Sequence, residues 1–119
     1  MNNEIKVLLV DDHAIMRKGL LLLLSEEADI TVVGEAEDGE QAIERVRALQ
    51  PDVVVMDFRM PFMDGLEATA RITESWPHVK VIIHSMTGVS QQAGKAVGAR
   101  EVLHPYDSMK RLQTAVLNA

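Results

Sequence analysis

The chain has 119 residues, the length of one ordinary domain, and 47% of them are hydrophobic, enough to build a core. A net charge of -6 with no basic run argues against direct contact with nucleic acid or an anionic membrane. The absence of cysteine excludes disulfides, thiolate metal sites and thiol catalysis.

The opening Met-Asn-Asn-Glu is unlike a signal peptide, and no apolar run approaches the ~18 residues of a membrane helix, so the expectation is a cytoplasmic protein. Ile5 to Val10 (IKVLLV) is a nearly unbroken apolar run and predicts a strand buried on both faces. Ala14 to Ser25 has a helical pattern that contains the leucine run from Leu20 to Leu24. Thr31 to Glu35 predicts a second strand, and Asp38 caps the helix after it. Ala42, Ile43, Val46 and Leu49 share one face of that helix, which Pro51 ends.

Asp52 to Met56 (DVVVM) predicts the third strand, and Gly65 to Ser75 a helix with Leu66, Ala70 and Thr73 on one side. Lys80 to His84 (KVIIH) predicts the fourth strand. Gly88 to Val97 is a weak helix, because each interior glycine costs about 1 kcal/mol relative to alanine. Glu101 to Leu103 is a short fifth strand, and Asp107 caps a last helix on which Met109, Leu112 and Val116 share a face.

Five strands alternating with helices imply an α/β domain, a doubly wound parallel sheet covered on both faces. Such a sheet places its ligand site at the carboxyl ends of the strands. Asp11 and Asp12 follow the first strand and Asp57 the third, so all three carboxylates fall at that edge. Two such charges ~4 Å apart repel by about 4 kcal/mol at an effective dielectric of 20, and three together call for a counter-ion. An oxygen-rich cluster of this kind suits Mg²⁺. Taken singly, each aspartate reads equally well as a solvated loop residue. Ser85, ending the fourth strand, is suited to a phosphoryl oxygen or to a turn. His104, ending the fifth, reads more readily as structural on position alone.

VLLVDDH at 7–13, DVVVMDFRMPFMDG at 52–65, VIIHSM at 81–86 and GAREVLHPYD at 98–107 resemble two-component response-regulator receiver domains. VDDH followed by Arg17 and Gly19-Leu20 is most similar to the subclass joined to LuxR-type helix-turn-helix domains. The resemblance spans essentially the whole chain, 1–119, as one receiver domain with any output domain absent or cut off. It implies a flavodoxin-like (βα)5 fold with strand order 2-1-3-4-5. It implies that Asp57 accepts phosphate from a sensor histidine kinase, that Asp12 ligates Mg²⁺ directly and that Asp11 acts mainly through a water. The backbone carbonyl of Arg59 would be a further metal ligand, and Ser85 would hold a phosphoryl oxygen. A transcriptional role would then run through a separate DNA-binding domain.

Three departures from the family's pattern stand out. His104 occupies the place of a lysine, and histidine is shorter and only partly charged near neutrality. The aromatic residue usual in the fifth strand is absent, with Glu101 or Val102 near its place. The segment from Ser85 to Gly98 is about two residues shorter than the family norm. The phosphoacceptor half thus reads as intact and the readout half as altered.

These departures leave a second reading: a pseudo-receiver, an interaction module that keeps the fold without a working switch. A haloacid-dehalogenase-like phosphatase would want a second aspartate where Arg59 stands. A flavin carrier would want a hydroxyl-rich loop where Asp11 and Asp12 stand. The chain is therefore read as a signalling protein and not an enzyme, beyond its own phosphorylation and dephosphorylation. The extra leucines of the first helix leave two alternatives, a deeper seat in the core or a homodimer face with the last helix.

Overall fold

The apolar segments pair as one parallel sheet, formed by β1 (Ile5–Val10), β2 (Ile30–Ala36), β3 (Val53–Asp57), β4 (Lys80–His84) and β5 (Glu101–Leu103). The strand order is β2-β1-β3-β4-β5, as the family resemblance implies. This computed structural model describes residues 4–85, 89–104 and 109–119. Helices α1 (Ala14–Ser25) and α5 (Met109–Leu117) cover one face; α2 (Gly39–Leu49), α3 (Gly65–Ser75) and α4 (Gln91–Ala96) cover the other.

Every residue of β3 is buried, as expected of a central strand with helices on both sides. Its side chains alternate between the two cores. Val54 and Met56 join Leu8, Val10, Val81 and Ile83 in one cluster, while Val53 and Val55 join Val7, Leu9 and Ile82 in the other. Asp38 caps α2 by accepting from the Gln41 N–H at 2.8 Å. Ala42 and Val46 lie in the core with Ile43 and Leu49 packed against it, as the helical spacing requires.

Several boundaries and faces differ from expectation. β2 extends one residue further at each end, and β3 starts at Val53 and includes Asp57, so the phosphoacceptor candidate is held within the sheet. On α3 the buried stripe is Gly65, Ala68, Thr69 and Ile72 rather than Leu66, Ala70 and Thr73. Size decides this: the small residues let the helix start lie directly on the end of β3, and Leu66 packs at the margin. α4 spans only six residues, inside the expected Gly88–Val97, with Ser90 capping the Ala93 N–H at 3.0 Å. Gly94 is buried there, and a Cβ would run into the Val102 side chain, so close packing and not flexibility explains that glycine. The expected cap at Asp107 and the side chain of Met109 lie outside the described residues; Leu112 and Val116 of α5 are buried.

β5 is the outermost strand on its side of the sheet. The Gln91 side chain occupies its free edge: Nε2 donates to the Val102 carbonyl, and Oε1 accepts from the Val102 N–H at 3.3 Å. In the leucine run, Leu20 and Leu24 are core residues, Leu21 and Leu23 are partly buried, and Leu22 is 64% exposed.

Candidate functional site

The site is assembled by strand register. Val10 of β1 pairs with Met56 of β3, which sets Asp11 beside Asp57, and Asp57 pairs with His84 of β4. Backbone bonds continue past the strand ends, from Asp11 N–H to Ala36 (3.0 Å), Phe58 N–H to His84 (3.1 Å) and Ser85 N–H to Leu103 (3.1 Å). The carboxyl edge is therefore fixed before any side chain contributes.

Asp11, Asp12, His13 and Asp57 each place a potential ligand atom there, all within 4.8 Å of one another. Asp11 and Asp57 are buried, whereas Asp12 and His13 face solvent. Asp12, His13, Phe58, Arg59, Met60 and Asp64 line an open cleft of about 610 Å³ at this point.

Three neighbouring residues hold the cluster. Arg17 on α1 donates from Nη1 to the Asp11 carbonyl at 2.6 Å and from Nε to Glu35 at 3.0 Å, tying α1 to the ends of β1 and β2. The Gly65 N–H donates to the Phe58 carbonyl at 2.7 Å. A Cβ at Gly65 would strike the Asp57 carbonyl oxygen and come within 2.8 Å of Phe58 Cα, so only glycine lets α3 begin so close to β3. Asp64 caps α3 by accepting from the Glu67 N–H at 2.9 Å.

Burial raises the Asp57 carboxyl to a pKa of about 7, helped by the charges of Asp11 and Asp12 and opposed by the Arg59 backbone N–H and by His13. His13 is raised, first by its hydrogen bond to Asp11 and then by the charge of Asp12. His84 is lowered by burial, against the pull of Asp11. The three carboxylates thus carry more negative charge than their surroundings balance, and their oxygens are the donor type Mg²⁺ takes.

The structure brings together Asp11, Asp12 and Asp57, with the Arg59 backbone N–H bonded to the Asp57 carboxyl. Ser85 is buried at the same edge, one residue beyond the Asp57–His84 pair. His104 follows β5, and its Nε2 lies 2.6 Å from the Val89 carbonyl oxygen, directed at the chain leading into α4. Two residues escaped the sequence reading. His13 was visible only as the residue after Asp11-Asp12. His84 was visible as a histidine ending an otherwise apolar strand; its Nε2 is buried without a hydrogen-bond partner, 3.6 Å from Asp11 Oδ2.

A parallel β2-β1-β3-β4-β5 sheet with clustered carboxylates at its carboxyl edge defines a doubly wound α/β domain with an acidic pocket. The chain belongs to the response regulator receiver domain family, which matches residues 7–116. It is 47% identical over 79 residues to the response regulator protein VraR of Staphylococcus saprophyticus, a match covering 66% of this chain and 38% of that protein. The matched region spans well under half the length of these curated relatives.

Among solved structures, it resembles the signal receiver domain of the putative response regulator NarL from Mycobacterium tuberculosis. That match has a TM-score of 0.89 and 32% identity, covering 98% of this chain and 95% of that one. A LuxR-family two-component response regulator from Aurantimonas matches with a TM-score of 0.92 and 30% identity over 97% of this chain and 84% of that one. The family binds Mg²⁺ at an acidic pocket, and response regulators are phosphorylated by sensor histidine kinases. No helix among the described residues is long and apolar enough to cross a membrane.

Proposed function

We propose that this domain is the phosphoacceptor switch of a two-component system, with Asp57 as the group that is phosphorylated. The convergence of Asp11, Asp12 and Asp57 within a few ångströms at the edge of a cleft carries this reading. An Asp57 Oδ attacks the phosphorus of a sensor kinase's phosphohistidine, and the histidine nitrogen leaves with the bonding pair. Asp11, Asp12, an Asp57 oxygen and the Arg59 carbonyl are the donors for Mg²⁺. When bound, the ion neutralises charge on the transferring group. Arg17 positions Asp11 through its carbonyl, and Gly65 keeps the turn after Asp57 tight. Ser85 is the donor assigned to a phosphoryl oxygen.

The wider role follows from the relatives. The domain is the receiver part, 1–119, of a longer transcription regulator that binds DNA elsewhere. Burial and neighbouring charges hold a fraction of Asp57 protonated near neutrality, so ion binding and nucleophile ionisation are coupled. The position of His104, directed at Val89 rather than standing as a lysine beside phosphate, predicts a short-lived phosphorylated state.

Labelling with a small phosphodonor and Mg²⁺ tests the proposal. Wild type takes up one phosphate and Asp57→Asn takes up none; equal labelling of the two refutes it. His104→Lys lengthens the lifetime of the phosphorylated form, and an unchanged lifetime removes the role given to His104. The pseudo-receiver reading draws on the six-residue α4 and the Gln91 and His104 contacts to the backbone. It requires that labelled protein show no shift of amide signals over residues 86–106.

A further inference from the structure

His13 stands where a metal ligand would stand. Its Nδ1 is 2.9 Å from Asp12 Oδ1, 3.2 Å from Asp11 Oδ1 and 4.0 Å from Asp57 Oδ2. Around an octahedral ion with metal–ligand bonds of about 2.1 Å, adjacent ligands are about 3.0 Å apart and opposite ones about 4.2 Å. The two short spacings match neighbours and the long one matches a pair facing across the ion.

The local chain favours this placement. The His13 backbone N–H donates to Asp11 Oδ1 at 2.8 Å, which turns the residue back over the carboxylates. The ring stays 69% exposed at the cleft, so an ion reaches it from solvent. On the far side, the unpartnered Nε2 of His84 faces the other oxygen of Asp11. That is where an outer-shell partner orients a ligating carboxylate.

We infer that His13 is a nitrogen ligand of the ion held by this pocket, and that it biases the pocket toward late first-row divalent ions such as Co²⁺ and Zn²⁺ relative to Mg²⁺. Imidazole suits Zn²⁺, Ni²⁺ and Co²⁺, whereas Mg²⁺ holds to oxygen donors. The inference rests on the metal-assisted reading above and adds a fourth side chain and a selectivity to it.

The test uses the whole chain and the metals themselves. Mn²⁺ bound to wild type gives a nitrogen coupling in pulsed EPR, and His13→Ala abolishes it. By titration, His13→Ala weakens Co²⁺ binding about tenfold or more, while Mg²⁺ affinity moves by less than a factor of about three because its oxygen donors remain. Circular dichroism confirms that the variant is folded, and Asp12→Asn, which removes a negative charge that attracts either ion, weakens both metals. Absence of the nitrogen coupling in wild type, its survival in His13→Ala, or equal loss of Co²⁺ and Mg²⁺ affinity overturns the inference and leaves the receiver reading intact. Failure of wild type to bind any divalent ion overturns both.

Discussion

The β1–β3 edge and the β4–α4–β5 segment hold their functional residues by opposite means. At the first, Asp11 and Asp57 extend two buried strands whose backbone bonding continues past the last paired residue. At the second, a three-residue strand and a six-residue helix are tied by side chains: Gln91 to both backbone groups of Val102, and His104 to the Val89 carbonyl. A site that must hold charges in fixed register needs the first kind of construction. A segment that changes its arrangement is better served by the second, because a side-chain tie is released without breaking the sheet.

The sharpest way to break this contrast is Gly65→Val. The new side chain meets the Asp57 carbonyl and Phe58 Cα, so the expected loss is about 1–3 kcal/mol in urea unfolding, with displaced amide signals at Asp57. A variant of wild-type stability means that the edge is not rigid.

Gln91→Ala sharpens the other side. Leaving the outward N–H and C=O of Val102 without that partner costs about 1–2 kcal/mol. Hydrogen exchange at Val102 accelerates while that of β3 does not; acceleration spreading into β3 would show that the two regions are one cooperative unit.

Next in size is a pH effect confined to the first region. The folded pKa of Asp57, about 7, lies above its ordinary value of 3.8, so the folded state binds more protons between these values. Stability therefore falls as pH rises from about 4 to about 7, and the raised histidine His13 adds in the same direction toward its upper end. Asp57→Asn flattens this slope and is more stable than wild type by roughly 1 kcal/mol at pH 7.5 without divalent ions. A wild-type profile already flat over that interval contradicts the assignment. The smallest effect belongs to the exposed Glu67–Arg71 pair on α3, 2.9 Å apart, where Glu67→Gln costs about 0.3–0.5 kcal/mol and the loss vanishes in high salt.

Hydrophobic periodicity made the sheet legible, because mostly buried apolar runs such as IKVLLV and KVIIH admit few other readings. The Asp11–Asp12–Asp57 cluster followed from the rule for strand ends. The face of α3 did not, because Leu66 and Ala70 look apolar while the small Gly65 and Ala68 decide how near the helix comes. Gly94 misled in the same way: its backbone cost is legible in sequence, but its contact with Val102 is not. His13 and His84 were missed because a lone histidine has no periodicity, and only the strand register shows that the two flank Asp11.

The Gln91 side chain has one more consequence, for solubility. An outermost strand offers unpaired peptide groups that invite a foreign chain to extend the sheet, and proteins that leave such a border open risk fibre-like assembly. Here one amide occupies the border at Val102 and stands in for a sixth strand.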